Sequence, residues 1–355
     1  MRRMISCVLL CVLLFTACSA DGGIASTEQS PQTAPSTAET TTEPIEQQPT
    51  DPTEPSTTDA AYDPMMTELA NRLGITRENY PRMDGSTSTL RIAQELWYVL
   101  TFTELGSASI AFPDTASKTV PSYYKLINGE VDLIFVPYAS EEVLQAAADA
   151  GVELEFHKIA AEALIFITPM ENTASNITRE QVRSIYLDYG ITNWSELGGP
   201  DRALIPLCRN ADSGSQSQMD NLVLENEPMH PDIQNNYVEL TMEGMLELTA
   251  FYHYGGIGGE PTNSYALGYT LYSYLQHSIE VYEAGANLKI LAYDGVIATE
   301  ESIADGSYPL SDGYYAVTRA DLPEDHSAYA IISWLQSPEG VEMIGRIGLI
   351  PCVAE

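Results

Sequence analysis

Short apolar runs alternate with amphipathic segments from about residue 63 to the last residue, Glu355. Four of these runs are only four to six residues long and are rich in Val, Ile and Leu. They lie at residues 131–136, 163–167, 203–207 and 288–291. This length and composition are typical of strands buried on both faces of a sheet. The sequence therefore predicts that much of the core is built on a sheet.

Helices are predicted between these strands. Residues 89–102 place Leu90, Leu96 and other apolar side chains at helical spacing on one face. Thr178, followed three residues later by Gln181, forms the capping-box pattern that opens a helix. The succession of strand, helix and strand predicts an α/β fold, divided into two lobes, for this part of the chain.

The first seventeen residues have the zones of an export signal, with Arg2 and Arg3 before an apolar run at residues 5–15. That run is shorter than the roughly 20 residues needed to span a bilayer. The Phe-Thr-Ala-Cys sequence ending at Cys18 is similar to the lipobox of bacterial lipoproteins, in which the cysteine receives a lipid. Residues 1–17 are thus predicted to be removed, with Cys18 anchoring the protein to the membrane. The alternative is a plain secreted protein.

Residues 18–62 consist mainly of Thr, Ser, Pro, Gln and Glu, and no Lys or Arg occurs between Arg3 and Arg72. Such a segment buries too little apolar surface to offset its chain entropy, and its acidic side chains repel one another. It is predicted to be a disordered tether between the lipid anchor and the folded domain. The folded domain is expected to begin at residue 63.

The formal net charge of −34 restricts the classes of partner. Binding to nucleic acid requires a basic face, which 16 Lys and Arg against 50 Asp and Glu do not provide, so no nucleic-acid partner is expected. The histidines show no metal-ligand spacing, and neither a metal nor a cofactor is expected. They are His157, His230, His253, His277 and His326.

Two segments place a glycine and several hydroxyl residues just before a predicted helix: residues 84–89 and residues 209–217. The first backbone N–H groups of a helix lack partners within the helix and carry partial positive charge, so they suit an oxyanion. The hydroxyls add donors, and Arg209 is placed to add a charge-assisted bond. Two alternatives stay open: ordinary helix caps for the hydroxyls, and an ion pair with Asp212 for Arg209.

Further motifs occur in a recognisable order. Asn-Gly-Glu-Val-Asp-Leu lies at residues 128–133, Asn-Trp-Ser-Glu-Leu-Gly-Gly at 193–199, Arg-x-x-x-Ser-Gly-Ser at 209–215 and Asp-Gly-Ser-Tyr-Pro-Leu at 305–310. Together they resemble the PstS-like phosphate-binding proteins of bacterial ABC importers, a branch of the type 2 periplasmic-binding-protein family. The resemblance covers essentially all of residues 78–355.

The resemblance implies a two-lobed α/β clamp that closes on one dehydrated oxyanion, with a chain that crosses between the lobes twice. Lobe 1 is expected to contain about residues 78–165 and 290–355, and lobe 2 about residues 166–289. The implied ligand is inorganic phosphate or a similar tetrahedral oxyanion. The residues implied to bind it are Ser86, Thr87, Ser88 and Thr119 from lobe 1, and Arg209, Ser213, Gly214 and Ser215 from lobe 2.

The same resemblance implies a function and its partners. The protein is expected to be a monomer that lies outside the cytoplasm, to catalyse nothing, and to deliver its ligand to the transmembrane subunits of an ABC permease. The chain nevertheless departs from the family pattern at two positions. The Asp that accepts the proton of hydrogen phosphate normally follows the strand at residues 131–136, but here no carboxylate occurs before Glu141. An Asp also normally lies two residues after the arginine, where this chain has Ala211, with Asp212 as a substitute.

These departures affect selectivity for phosphate over sulfate more than anion binding itself. They leave open a surface sensor, or an interaction domain that no longer binds phosphate selectively. An enzyme is a further alternative, because Ser122 and Lys125 match the Ser-x-x-Lys pattern of penicillin-recognising enzymes, although the companion motifs do not follow. Cys208 and Cys352 form either a disulfide, which an exported location permits, or two free thiols.

Overall fold

A computed structural model of the chain describes residues 62–101, 110–255, 260–281 and 283–352. The predicted signal peptide, the lipidation site Cys18 and all but the last residue of the predicted tether lie outside these ranges. Within them, no helix is both long enough and apolar enough to cross a membrane.

Helices and strands alternate along the described chain. The strands are β1 (Met83–Gly85), β2 (Leu133–Pro137), β3 (Leu154–Pro169), β4 (Asn176–Ile177), β5 (Ala203–Pro206), β6 (Cys208–Arg209), β7 (Val238–Glu239), β8 (Ser264–Leu271), β9 (Leu288–Ile290), β10 (Ala292–Tyr293), β11 (Ser311–Arg319) and β12 (Ile350–Pro351). The helices are α1 (Glu68–Arg72), α2 (Leu90–Leu100), α3 (Thr119–Ile127), α4 (Glu141–Asp149), α5 (Arg179–Tyr186), α6 (Gly214–Met219), α7 (Pro231–Asn236), α8 (Met242–Phe251), α9 (Tyr272–Val281), α10 (Glu283–Ala286), α11 (Glu300–Ala304), α12 (Ser327–Leu335) and α13 (Pro338–Arg346).

The largest sheet has the strand order β1-β2-β11-β3-β8-β5, and β9 and β12 also pair with β3. The pairs β1–β2 and β5–β8 are parallel, whereas β2–β11, β11–β3 and β3–β8 are antiparallel. Smaller sheets pair β10 with β4 and β6 with β7. The sheet is therefore mixed and carries helices between its strands, which confirms the predicted α/β class.

The predicted elements correspond closely to observed ones. The predicted apolar runs correspond to β2, β5, β9 and the second half of β3. The helix predicted at residues 89–102 is α2, and α5 begins with the predicted capping box, in which Gln181 N–H donates to Thr178 Oγ1 at 3.2 Å. β3 has 16 residues, many more than predicted, because its first half carries polar, partly exposed side chains that break the apolar run.

β3 belongs to both lobes. Up to Ala163 it pairs with β11, and from Leu164 onward it pairs with β8. We call the part built on β1, β2, β11 and the first half of β3 lobe 1, and the part built on the second half of β3, β5, β8 and β9 lobe 2. The chain first crosses between the lobes at Leu164 and returns to lobe 1 at Ser311. The two crossings lie side by side, because Leu164 N–H donates to Leu310 O at 3.2 Å.

Each lobe has its own buried core. In lobe 2, Phe166, Tyr186 and Trp194 are completely buried in one cluster, and the Trp194 indole N–H donates to Tyr265 O at 2.8 Å. The tryptophan of the Asn-Trp-Ser-Glu-Leu-Gly-Gly motif is thus a core residue. Leu96 and Phe135 belong to the core of lobe 1. These cores make each lobe a rigid support for the loops at the boundary between them.

Candidate functional site

A cavity of about 400 Å³ lies between the lobes. It is lined by every residue predicted to bind the oxyanion: Ser86, Thr87, Ser88, Thr119, Arg209, Ser213, Gly214 and Ser215. The lobe 1 residues come from a short 3₁₀ turn before α2 and from the start of α3. Those of lobe 2 come from β6 and the start of α6. The structure brings the whole set together, and its contacts with a ligand stay a prediction.

The hydroxyl loop of lobe 1 is held by the end of β2. Ser86 N–H donates to Phe135 O at 3.0 Å. Gly85 lies so close to this strand that a Cβ atom there would be 2.4 Å from Phe135 O, so only glycine fits without movement. The hydroxyls of Ser86 and Ser88 are 2.8 Å apart and both residues are buried. This packing directs a compact pair of hydroxyls toward the cavity.

An ion pair supports the same loop from behind. Asp84 Oδ1 accepts hydrogen bonds from Gly85 N–H and Ser117 N–H, and Asp84 Oδ2 lies 2.9 Å from Lys125 Nζ. Burial opposes ionisation of Asp84, but the bonds from Ser117, Lys125 and Gly85 outweigh it and keep the pKa of its carboxyl below the usual value. The pair therefore fixes the loop before α2 against the loop before α3.

The Ser-x-x-Lys pattern does not form a nucleophile and base. Ser122 is fully buried and its hydroxyl donates to Thr119 O at 2.8 Å. Lys125 instead binds Asp84 and donates to Ser117 Oγ at 2.7 Å. Both residues thus have structural partners, and their arrangement gives no support to the enzyme alternative.

In lobe 2, the serines at the start of α6 do not act as ordinary helix caps. Ser213 occupies the N-cap position, yet its side chain caps no backbone N–H and lies 3.0 Å from Ser215 Oγ. Arg209 Nη1 lies 3.4 Å from the same Ser215 hydroxyl. The guanidinium and the hydroxyls of Ser213 and Ser215 therefore lie together at the cavity wall, beside the first turn of α6.

Arg209 is 6% exposed, and carbonyl groups hold its guanidinium in place. Arg209 Nε donates to Glu239 O at 3.1 Å, and Nη2 donates to Leu240 O at 3.3 Å. Among the residues that the structure describes, no carboxylate forms an ion pair with it. Burial accordingly lowers the pKa of Arg209. A buried charge without a counterion is costly, so an anion in the cavity is its natural partner.

The expected substitute carboxylate is not found beside Arg209. Asp212 Oδ2 accepts a hydrogen bond from Asn210 Nδ2 at 3.2 Å, and Asp212 O accepts one from Val120 N–H at 3.4 Å. Asp212 therefore stabilises its own loop and a contact with lobe 1. The alternative that Asp212 and Arg209 form an ion pair is therefore wrong for this structure, whereas the substitution of Asp212 for the Asp of the family pattern stays a prediction.

Gln216 links Arg209 to a partly buried acid behind the cavity. Its Oε1 accepts hydrogen bonds from Arg209 N–H at 3.2 Å and from the Tyr269 hydroxyl, while its Nε2 donates to Asp220 Oδ1 at 2.8 Å. Burial raises the pKa of Asp220 to about 6, although the bond from Gln216 opposes the shift. Asp220 begins a π-helical turn, Asp220–Leu224, that continues α6.

The lobes touch each other beside the cavity. A Cβ atom on Gly214 would be 2.6 Å from Thr119 Oγ1 and 2.8 Å from Pro137 Cγ, so a glycine is required for this approach. A second contact is the hydrogen bond from Asn221 Nδ2 to Ala139 O at 2.9 Å. The segment after β2, where the family's usual Asp is missing, thus binds lobe 2 through a backbone carbonyl.

Two cations that the sequence analysis missed also line the cavity, Arg91 on α2 and Lys118 before α3. Each lies close in sequence to a predicted binding residue, but a single cation on a helix or loop forms no motif. Lys118 has a backbone φ of 77°, which is unusual for a residue other than glycine. Glu243 and His277 complete the charged or titratable part of the lining.

Both described cysteines are free thiols. Cys208 is buried in the core of lobe 2, and its Sγ lies 3.8 Å from Ile233 O, whereas Cys352 follows β12. The disulfide alternative is therefore not formed in this structure. In the described ranges, no group of three or more His, Cys, Asp or Glu side chains is arranged to hold a metal ion.

Comparisons with known proteins agree with this architecture. Residues 77–339 match the family model described as a PBP superfamily domain. The Phosphate-binding protein PstS of Borreliella burgdorferi is 25% identical over 275 residues, which are 77% of this chain and 90% of that protein. Among solved structures, an ABC-type phosphate transport receptor from Vibrio cholerae has a TM-score of 0.54 and 22% identity, and the match covers 76% of this chain and 98% of that one.

A Clostridium perfringens protein assigned as a phosphate ABC transporter substrate-binding protein, and solved with bound phosphate, gives the same TM-score, identity and coverage. At this level of identity, the two structures establish the fold. They confirm the predicted periplasmic-binding-protein fold, and the family model covers well over half of the chain. The chain is therefore a member of the PBP superfamily.

Proposed function

We propose that the protein is an extracytoplasmic, lipid-anchored receptor that captures inorganic phosphate, or a similar tetrahedral oxyanion, for an ABC importer. It catalyses no reaction in this proposal. The Borreliella burgdorferi relative is a phosphate-binding protein and the Vibrio cholerae neighbour is a phosphate transport receptor, which supports the ligand and the transport role. The lipid anchor is proposed from Cys18 and the export signal before it.

The observation that carries the proposal is the buried guanidinium of Arg209, which has no carboxylate partner among the described residues and lines a cavity rich in hydroxyls. About six hydrogen bonds to a charged ligand, at roughly 1.5–3 kcal/mol each, give about 9–18 kcal/mol before the costs of binding. A micromolar affinity needs only about 8 kcal/mol. The donors around this cavity are therefore sufficient.

The proposed mechanism is closure of the lobes around the anion. Hydroxyls of lobe 1 bind from one side, and Arg209 with the start of α6 binds from the other. Because the full set of contacts exists only when the lobes meet, the ligand binds the closed state more tightly and shifts the population toward it. We propose that the permease recognises this closed state.

Isothermal titration calorimetry with phosphate, sulfate and maltose tests the proposal. We expect heat from phosphate and none from maltose. Arg209→Ala should weaken phosphate binding by about 2–5 kcal/mol, which is about 30-fold or more, because it removes a buried charged donor. The exposed Arg72→Ala variant is the control for loss of one positive charge, and circular dichroism verifies that both variants fold.

The absence of a carboxylate between Phe135 and Ser140 supports a second candidate, a sensor of the same architecture without phosphate selectivity. Sulfate binding as tight as phosphate binding would favour this candidate. Heat from neither anion would reject anion capture, and unchanged affinity in Arg209→Ala would reject the assignment of the site.

A further inference from the structure

We propose that the preferred ligand of the cleft is a short phosphomonoester or phosphonate that carries a second anionic group, held by Arg91 and Lys118. This inference rests on the proposed oxyanion function, because the phosphoryl group occupies the site around Arg209. It narrows the ligand from an oxyanion in general to a bifunctional organic anion. The available space, the cations of the cavity wall and the missing carboxylate after β2 support it separately.

The first argument is space. The cavity holds about 400 Å³ even though the lobes already touch at Gly214 and Asn221. A tetrahedral oxyanion fills the space of only about two or three water molecules, at roughly 30 Å³ each. Cavities of about 300–1,000 Å³ are typical of sites for organic ligands. Much of the cleft therefore extends beyond a single oxyanion.

The remaining wall suits a short organic segment. Leu90, Met242 and Leu271 contribute apolar surface to it, and Tyr274 lies beside them. Met242 and Leu271 are almost completely buried, so this part of the wall is fixed by the packing of the lobes. A carbon chain attached to the phosphoryl group would pack against this apolar surface, which bound water does not stabilise.

The second argument is charge. Arg91 and Lys118 line the same cavity as Arg209, and neither forms an ion pair with a described carboxylate. Arg91 is fixed by a hydrogen bond from Nη1 to Ile347 O at 2.6 Å, and burial lowers the pKa of its guanidinium. Three cations thus face a cavity whose lining contains one carboxylate, that of Glu243. One oxyanion at Arg209 leaves Arg91 and Lys118 without an ion-pair partner among the described residues.

Lys118 adds a conformational observation. Its φ of 77° lies in the left-handed region, where residues other than glycine are strained by about 1–3 kcal/mol. The strain places a cationic side chain at the cavity next to Thr119. Strained residues of this kind are concentrated at binding sites.

The third argument concerns protons. The predicted phosphoryl site offers backbone N–H groups and a guanidinium, which only donate, and hydroxyls, which donate or accept; none of its predicted residues is a carboxylate. The second pKa of a phosphomonoester is about 6, so at pH 8 its phosphoryl oxygens carry no proton and all act as acceptors. Inorganic phosphate keeps one proton at this pH, and the carboxylate that would accept it is missing from residues 135–140. A donor-rich site therefore favours the ester.

Calorimetry at pH 8 with phosphate, glycerol 3-phosphate and 3-phosphoglycerate tests the inference. The two esters are similar in size, but only 3-phosphoglycerate carries a carboxylate. We expect 3-phosphoglycerate to bind about tenfold or more tightly than glycerol 3-phosphate, because its carboxylate pairs with Arg91 and Lys118.

Arg91→Gln and Lys118→Gln should reduce this preference to about threefold or less, each by removing one of the two charges. Arg72→Gln, which removes an exposed arginine of α1, should retain the full preference. Lys118→Gly removes the charge and fits the positive φ, so it replaces Lys118→Gln if that variant folds poorly.

The outcomes separate the inference from the proposed function. Binding of phosphate without tighter binding of 3-phosphoglycerate would overturn the inference and leave phosphate capture intact. Failure of all three ligands to bind would overturn both. A preference for 3-phosphoglycerate that survives the Arg91 and Lys118 variants would overturn the assignment of the second anionic group to these cations.

Discussion

Asp220, which Gln216 links to Arg209, affects the stability of the protein through its ionisation. Burial raises the pKa of its carboxyl from 3.8 to about 6, so the ionised form is disfavoured in the folded state. The carboxyl contributes most to the free energy of unfolding below pH 4. This contribution falls as the pH rises to about 6, because the buried group then ionises. We therefore expect Asp220→Asn to increase the free energy of unfolding at pH 7 by up to about 3 kcal/mol.

Urea unfolding between pH 4 and pH 8 measures this effect. The difference between Asp220→Asn and the native protein should grow from pH 4 to pH 6 and then stay constant. Asp149→Asn, at an exposed position, is the matched loss of one carboxylate and should show no such growth. A constant difference across the whole range would contradict the assignment.

The cysteines permit a second measurement on individual side chains. Cys208 is 1% exposed, and burial raises the pKa of its thiol to about 11, whereas Cys352 is only partly buried. We expect iodoacetamide at pH 8 to modify Cys352 about tenfold or more faster than Cys208 in the folded protein, because the thiolate is the reactive form. Mass spectrometry of the peptides measures both rates. Thiols that stay unmodified in denaturant without reductant would indicate a disulfide instead.

Single residues also show what the sequence could and could not predict. The hydroxyl loops and Arg209 were predictable because their motifs combine several residue types at fixed spacing. Arg91 and Lys118 were not, because a lone cation carries no pattern and only the fold places it beside the others. The alternative of an ion pair between Asp212 and Arg209 was wrong, since the Asp212 side chain binds Asn210 instead.

Among the elements, α6 makes the closest approach to lobe 1, so the proposed closure depends most directly on its position. Gly214, its first residue, has no room for a Cβ atom between Thr119 and Pro137 of lobe 1. We expect Gly214→Ala to keep the lobes apart and to weaken phosphate binding about tenfold or more, because contacts from the two lobes no longer form together. Small-angle X-ray scattering with saturating phosphate should give a larger radius of gyration than for the native protein.

The matched control is Gly345→Ala in α13, where the nearest atom to an added Cβ would be Pro351 Cγ at 3.3 Å. Gly345→Ala lies inside α13 and is expected to favour helix formation by about 1 kcal/mol. Gly214→Ala lies at the first residue of α6, so its effect reports the clash of the added Cβ with Thr119 and Pro137. Unchanged affinity in Gly214→Ala would show that close approach at this residue is not needed for binding.

Elements with a clear local sequence pattern were predicted well. β2 and β5 are continuous apolar runs, β9 is a short run interrupted by Lys289, and α2 and α5 show periodicity or a capping box. The first half of β3 was missed because its first four residues are only partly buried and the fifth, Lys158, is exposed, so no apolar run marks it. Glu162, buried just before the apolar run of the second half, also interrupts the apolar signal.

For the whole molecule, the net charge of −34 opposes the approach of an anion. At physiological salt the screening length is about 8 Å, so the surface charge affects diffusion toward the cleft more than contacts inside it. We expect the association rate constant for phosphate to rise several-fold between about 20 mM and 500 mM KCl, with a much smaller change in dissociation. Stopped-flow fluorescence measures both rates.

This salt dependence has the opposite sign to that of a receptor with a basic surface. An association rate that falls with salt would mean that the cations lining the cleft dominate the field at its mouth. The Arg72→Gln variant provides a comparison, because it increases the negative charge by one unit away from the cleft lining.

The two lobes are joined where Leu164 of β3 bonds to the returning chain at Leu310. Because β3 continues unbroken from lobe 1 into lobe 2, we expect the proposed opening of the lobes to twist adjacent backbone segments at this point rather than to slide one lobe past the other. The two crossings of the chain lie side by side, so we expect them to restrict the relative motion of the lobes to rotation about a common axis. The displacement of each lobe then increases with distance from this axis. A partner that contacts both lobes at their far ends would therefore detect a ligand in the cleft as a change in the distance between those ends, without touching the ligand.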